Sequence, residues 1–210
     1  FKRKTYPKAD RQLKYGIVIA ARNEEAVIGP LLDSIRASEY PQEKLEVFVI
    51  AHNCTDRTAE IARARGAVVY EYDNPAERTA GYAYRHLFDR LNAEWRDAGF
   101  DGYFIINADN VLSTNYISKM NDAFAATGGE HVITSYRNSR NFGGNYMSCL
   151  YGLYFISACR FEARGRTVCG CSTRVSGTGY LFPSRLVERG WEYVTLTEDW
   201  EFTADQLARG

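Results

Sequence analysis

Short apolar runs alternate along this chain with segments whose apolar residues recur at three- and four-residue steps. That alternation constrains the fold more than any other feature. The runs at 15–21, 46–51, 67–72, 103–106 and 131–136 are rich in β-branched and aromatic residues and read as strands. After the first, Val27, Ile28, Leu31, Leu32 and Ile35 form one helical face, with Pro30 tolerable only in the first turn. Thr55 is expected to cap a helix running to Arg65, with Gly66 as its stop. Tyr84, Phe88, Leu91 and Trp95 share one face of a long helix, and Ile117, Met120 and Phe124 share a face of the next. Repeated β-α units of this size imply an α/β fold with a mainly parallel sheet and right-handed crossovers. The pattern changes after Arg137. Residues 146–161 read as an aromatic-rich helix whose Met147, Leu150, Tyr151, Tyr154, Phe155 and Phe161 are expected in the core. Docking to a lipid-linked acceptor or a membrane surface is a second role for that helix. Residues 164–176 read as loop, 180–183 as a short strand, and the apolar run 193–196 leads into a final helix.

The 210 residues suffice for one α/β domain with a sizeable core. Lysine plus arginine and aspartate plus glutamate are both 26, and no basic stripe stands out, which argues against nucleic acid as a partner. Cys54, Cys149, Cys159, Cys169 and Cys171 are odd in number and lack zinc-site spacing, so reduced thiols in the cytosol are the simplest reading. There is no signal peptide, and the near-apolar stretch 149–159 is too short to span a bilayer. Both ends read as cut, so the expectation is a single catalytic domain over 1–210 truncated at both termini. The basic lead Phe1-Lys2-Arg3-Lys4 fits the cytoplasmic flank of a membrane helix, and an expression boundary within a soluble protein fits nearly as well.

Four polar segments sit where the chemistry belongs. Asn107-Ala108-Asp109-Asn110 closes the apolar run 103–106, so a carboxylate flanked by amides projects into the crevice where open α/β sheets bind ligands. Such an oxygen-only cluster suits a hard divalent cation and the phosphates it neutralises. Read alone, it is equally an acidic turn making local backbone bonds. Ala21-Arg22-Asn23-Glu24-Glu25 and His52-Asn53-Cys54-Thr55-Asp56-Arg57-Thr58 are turns after strands one and two that open helices, placing backbone N–H groups for a base and ribose. Thr197-Glu198-Asp199-Trp200-Glu201 puts acids at a helix start, where the helix dipole alone would also favour them.

In this order the four segments resemble those of family 2 glycosyltransferases of the GT-A fold, over nearly the whole chain. Roughly 90 residues separate Asp109 from Asp199, which also fits the family. The resemblance implies a Rossmann-like three-layer sandwich that binds a nucleotide sugar, with UDP the expected nucleotide. It implies that Asp109 holds Mg²⁺ or Mn²⁺ at the diphosphate and that Asp199, beside Glu198, is the catalytic base of an inverting transfer. Ala21, Arg22, Glu24, His52, Asn53, Asp56, Gly81 and Asn107 would lie around the nucleotide. The acceptor would be a saccharide or a lipid-linked hydroxyl. The expected setting is the cytoplasmic catalytic domain of a membrane-attached protein. Ser176-Gly177-Thr178-Gly179 would let a sugar approach the backbone, as in the corresponding family segment.

The sequence also departs from the family pattern. His52 stands where an aspartate usually contacts the base, Asn107 replaces the first acid of Asp-x-Asp, and Thr79-Ala80-Gly81 lacks the lysine often found before that glycine. Two alternatives stay open: a nucleotidyltransferase making sugar nucleotides, and a nucleotide-sugar-binding domain without turnover.

Overall fold

The computed structural model describes residues 5–209, so the basic lead Phe1-Lys2-Arg3-Lys4 and Gly210 lie outside the described residues. Six strands make one sheet: β1 (Tyr15–Ala21), β2 (Leu45–His52), β3 (Val68–Tyr72), β4 (Gly102–Ile105), β5 (Ile133–Thr134) and β6 (Tyr180–Pro183). Their order is β3-β2-β1-β4-β6-β5. β3, β2, β1 and β4 run parallel, β6 is antiparallel to β4, and β5 is antiparallel to β6. The sheet is mainly parallel, as the β-α repeats require. The run at 131–136 yields only two paired residues. It sits at the sheet edge, where Ser135 N–H already turns to the Gly179 carbonyl and short strands are the rule.

β1, β4 and β6 bury both faces, and alternate residues of the central strands enter two separate cores. Tyr15, Ile17 and Ile19 of β1 and Phe104 of β4 face α1 (Ile28–Arg36), α2 (Thr58–Ala64) and α4 (Tyr116–Ala125). Val18, Phe48, Ile50, Tyr103 and Ile105 face α3 (Ala80–Glu94) and α7 (Glu198–Arg209). Helices on both faces of a sheet make the three-layer sandwich. Tyr84, Phe88 and Leu91 point into the second core as the helical spacing demands. Trp191 binds that core together. It is 1 % exposed, its ring lies flat against Phe202 at 5.5 Å and against Phe88 at 5.7 Å, and its Nε1–H donates to the Tyr193 carbonyl at 2.7 Å.

Four local expectations change. Thr55 does not cap a helix: its N–H and its hydroxyl both turn to Asn23 Oδ1, and the helix starts at Thr58, whose N–H bonds Asp56 Oδ1. Gly66 ends it as foreseen, at φ +77°. The expected core placement of the aromatic helix is wrong. α5 (Tyr146–Phe155) runs through a π-helical stretch, Ile156–Ala163, into α6 (Arg164–Val168), so helix replaces the first part of the expected loop. Tyr146, Met147, Leu150, Tyr151, Tyr154 and Phe161 are exposed, because apolar residues occur all round this helix and the sheet can cover one side at most. Residues 193–196 form no strand: Tyr193 packs on Trp191 and Phe202, while Leu196 is exposed.

Candidate functional site

The carboxyl ends of β1, β2 and β4 open onto a cleft of about 290 Å³, at the point where the sheet order reverses from β3-β2-β1 to β4. Ala20, Ala21, Arg22 and Glu24 line it from β1 and the following turn, His52 from β2, and Asn107, Ala108 and Asp109 from β4. Arg78, just before α3, and Ala80, Ala83 and Tyr84 of α3 close it. Arg22, Arg78 and the amino-terminal end of α3 give one wall positive character, which favours an anion such as a diphosphate.

The two turns behind the cleft brace one another. Asn23 and Asn53 both adopt left-handed backbone, φ 56° and 51°, a conformation asparagine tolerates better than most residues. Asn23 Oδ1 accepts the Thr55 N–H, Glu24 N–H donates to Thr58 Oγ1 at 2.8 Å, and Glu25 N–H donates to Asp56 Oδ2 at 3.1 Å. Asp56 therefore spends both carboxylate oxygens on backbone and does not line the cleft. Asn53 is also committed: its Oδ1 accepts Asn74 N–H, and its Nδ2 donates to the Asn74 and Glu77 carbonyls. Both set the shape of the wall.

His52 is buried, with Nε2 at 3.0 Å from Asn53 Nδ2 and its ring stacked on Tyr72, which stacks in turn on His86. Burial holds its pKa below the usual imidazole range; a backbone hydrogen bond with Glu77 opposes this and the Arg22 charge adds to it. The ring is thus neutral near pH 7 and offers a flat, uncharged floor. Burial likewise raises the Glu24 carboxyl, followed by the charges of Asp109 and Asp56. Glu24 and Asp109 thus concentrate negative charge from two strand ends in one cleft.

Asp109 is exposed, and its Oδ1 accepts Asn110 Nδ2–H at 2.9 Å. Among the described residues no group of three or more histidine, cysteine, aspartate or glutamate side chains gathers to hold a metal alone. The donor set fits a cation that arrives with phosphates: a single accessible carboxylate is enough where phosphate oxygens and water complete the shell. Asn107 projects from the same wall, and its N–H donates to Thr178 Oγ1 at 2.8 Å.

Glu198 and Asp199 open α7 outside the cleft lining, near enough for their charges to act on Tyr84, which is part of that lining. Burial raises the Tyr84 hydroxyl pKa and both carboxylates raise it further. Asp199 accepts Gly177 N–H at Oδ2, 2.7 Å, and Trp200 N–H at Oδ1, 2.9 Å. Glu198 is more buried, and burial together with Asp199 and Glu201 raises its pKa, against the pull of its own backbone N–H. The loop that meets Asp199 is anchored elsewhere too. Arg137 Nη2 donates to Ser176 Oγ at 2.7 Å while its guanidinium lies over the Phe155 ring of α5 at 5.1 Å.

Gly81 stands in the first turn of α3, behind the cleft lining. A Cβ there would collide with the Tyr193 carbonyl and come to 2.6 Å of Val194 Cα. Thr79 Oγ1 fastens the same contact by donating to the Val194 carbonyl at 2.8 Å. Gly81→Ala is expected to displace the segment leading to Glu198 and cost about 1–3 kcal/mol, the range for overpacking, read as a lower urea midpoint with unchanged m. Arg78 and Tyr84 escaped the sequence reading. The helical face that marks Tyr84 as core gives no hint that one edge reaches the cleft, and Arg78 has only its position just before α3 to signal it.

A sheet of this order, with its acidic and cationic cleft at the switch point, defines a GT-A-type glycosyltransferase domain. The match to the family model "Glycosyltransferase like family 2" extends over residues 12–210, and the chain belongs to that family. The probable glycosyltransferase YdaM of Bacillus subtilis is 25 % identical over 199 residues, covering 90 % of this chain and 46 % of that protein. The chain thus spans about half that relative's length. The mannosyltransferase PcManGT of Pyrobaculum calidifontis, solved with GDP-Man and Mn²⁺, superposes with TM-score 0.66 at 18 % identity, covering 98 % of this chain and 56 % of that one. Glucosyl-3-phosphoglycerate synthase of Mycobacterium tuberculosis, solved with UDP, gives 0.61 at 20 % identity, covering 94 % and 66 %.

Proposed function

We propose that this chain transfers a sugar with inversion from a nucleoside diphosphate donor, UDP foremost, to an acceptor hydroxyl. The observation that carries the reading is the convergence of Arg22, Glu24, Arg78, Asn107 and Asp109 on one cleft at the sheet's switch point. A nucleoside diphosphate leaves poorly unless its growing charge is neutralised. Mg²⁺ or Mn²⁺ held by Asp109 supplies that chemistry when bound, and the Arg22 and Arg78 guanidinium groups add to it. Asp199, oriented by Gly177 and Trp200, takes the proton of the attacking hydroxyl, a contribution of about 10²–10⁴ in rate. Glu198 stands beside it, its own carboxyl pKa raised first by burial. The solved neighbours carry GDP-Man with Mn²⁺ in one case and UDP in the other, which supports a nucleotide-sugar and metal reading without choosing the base.

The acceptor in this reading is a saccharide or a lipid-linked hydroxyl, and the setting is the cytoplasmic face of a membrane to which the whole protein attaches. The similarity over 45 residues to beta-monoglucosyldiacylglycerol synthase of Synechocystis lends support. Among the described residues no helix is long and apolar enough to cross a membrane. The exposed aromatic helix α5 gives such an acceptor an apolar surface to meet.

The test is thermal unfolding with UDP-, GDP- and dTDP-sugars, each with and without Mn²⁺. At 100 times Kd, a ligand confined to the folded state adds about 2.7 kcal/mol, so the preferred donor raises Tm by several degrees and does so more with Mn²⁺. No shift with any nucleotide under either condition would end the transferase reading.

A further inference from the structure

We infer that Thr178 is a positioning residue for Asp109, setting through Asn110 the direction in which that carboxylate meets the donor's cation. The inference rests on the proposed role of Asp109 and concerns a residue one shell away from it.

Thr178 is buried, and its one hydroxyl is fully used. It accepts the Asn107 N–H at 2.8 Å and donates to Asn110 Oδ1 at 2.8 Å. That bond fixes which end of the Asn110 amide faces which way. The carbonyl end is held by Thr178, so the Nδ2 end points to Asp109 Oδ1, at 2.9 Å. A threonine with a purely architectural role would end on backbone. This relay ends on an exposed carboxylate in the cleft. Fixing Oδ1 fixes the plane of the carboxyl group, and with it how Oδ2 is presented. The loop is itself pinned on both sides of Thr178: Gly179 N–H donates to the Ile105 carbonyl at 2.9 Å, and Gly177 N–H donates to Asp199 at 2.7 Å. Adjacent residues therefore serve both acids, Gly177 through its backbone and Thr178 through its hydroxyl. Preorganisation of this kind matters for metal geometry, where partners of the ligands typically change affinity by about ten to a hundredfold.

The experiment measures binding of UDP or GDP, whichever stabilises the wild-type chain, by calorimetry across a Mn²⁺ titration and in its absence. Thr178→Val keeps the shape and removes the hydroxyl; Thr178→Ser keeps the hydroxyl. The expected result is that T178V raises the half-saturating Mn²⁺ concentration about tenfold, leaves metal-free nucleotide affinity unchanged, and that T178S restores wild-type behaviour. Asn110→Ala cuts the relay outside the core and is expected to reproduce T178V, which keeps the test open should T178V fail to fold. A wild-type Mn²⁺ response in N110A, or in a folded T178V, would overturn the inference while leaving the reading of Asp109 intact. Absence of any Mn²⁺ effect on nucleotide binding in the wild-type chain would overturn both. Asp109→Asn separates the two levels: it should abolish the Mn²⁺ effect, where T178V only weakens it.

Discussion

Asp199→Asn is expected to lower sugar transfer by about 10²–10⁴ while nucleotide affinity stays within about twofold. Asp199 can act as a base because its carboxylate is held in place: Gly177 N–H and Trp200 N–H fix one oxygen each, leaving further lone pairs for an incoming hydroxyl. An amide cannot take that proton. It also turns an NH₂ toward one of those two backbone donors, so unfolding of the variant must be measured beside its rate. The loss should fall on kcat and leave donor binding, since the base meets the acceptor and not the nucleotide. Glu198→Gln is the control. If E198Q loses the larger factor while D199N keeps wild-type turnover, the base is Glu198, whose burial already raises its affinity for a proton. Wild-type rates in both variants would remove this acidic pair from catalysis.

The second large effect is on stability. Trp191→Ala should cost about 3–5 kcal/mol, the range for emptying a large aromatic site from a core. For a chain of this size that lowers Tm by about 10 °C or more. Trp191 stacks between Phe88 of α3 and Phe202 of α7, so the cavity opens where the helix bearing Glu198 and Asp199 docks on the sheet. Transfer should fall in the variant even at temperatures where circular dichroism shows it folded. Trp191→Phe retains part of the stacking yet leaves the Tyr193 carbonyl without its donor, so it should fall between wild type and alanine. A Trp191→Ala chain that unfolds with the wild-type midpoint would mean that α7 docks by other contacts.

Most of the scaffold is legible in the residue order because its central strands are buried on both faces. β1 and β4 show as near-continuous apolar runs, and helices α1, α3 and α4 each present one stripe to a core. The failures are physical too. Residues 193–196 look like a strand by apolarity, yet the hydrogen bonds of that segment go to Trp191, Thr79 and Glu201. The aromatic helix looks like core by composition, but nothing in a local pattern says whether another layer exists to cover it. At the site, polar residues at strand ends were the right signal for the place. They did not reveal which side chains face the cleft, as Arg22, Glu24 and Asp109 do, and which are consumed in bracing, as Asn53 and Asp56 are. Hydrogen-bond saturation decides that, and it depends on contacts across some thirty residues of chain, as between Asn23 and Thr55.

The Arg137 guanidinium joins the aromatic helix to the loop beside the acid. One cation is shared between a ring on the solvent-facing aromatic helix and the hydroxyl of Ser176, next to the glycine that holds Asp199. The helix and the loop touching the acid are thereby tied to one another through a single planar group.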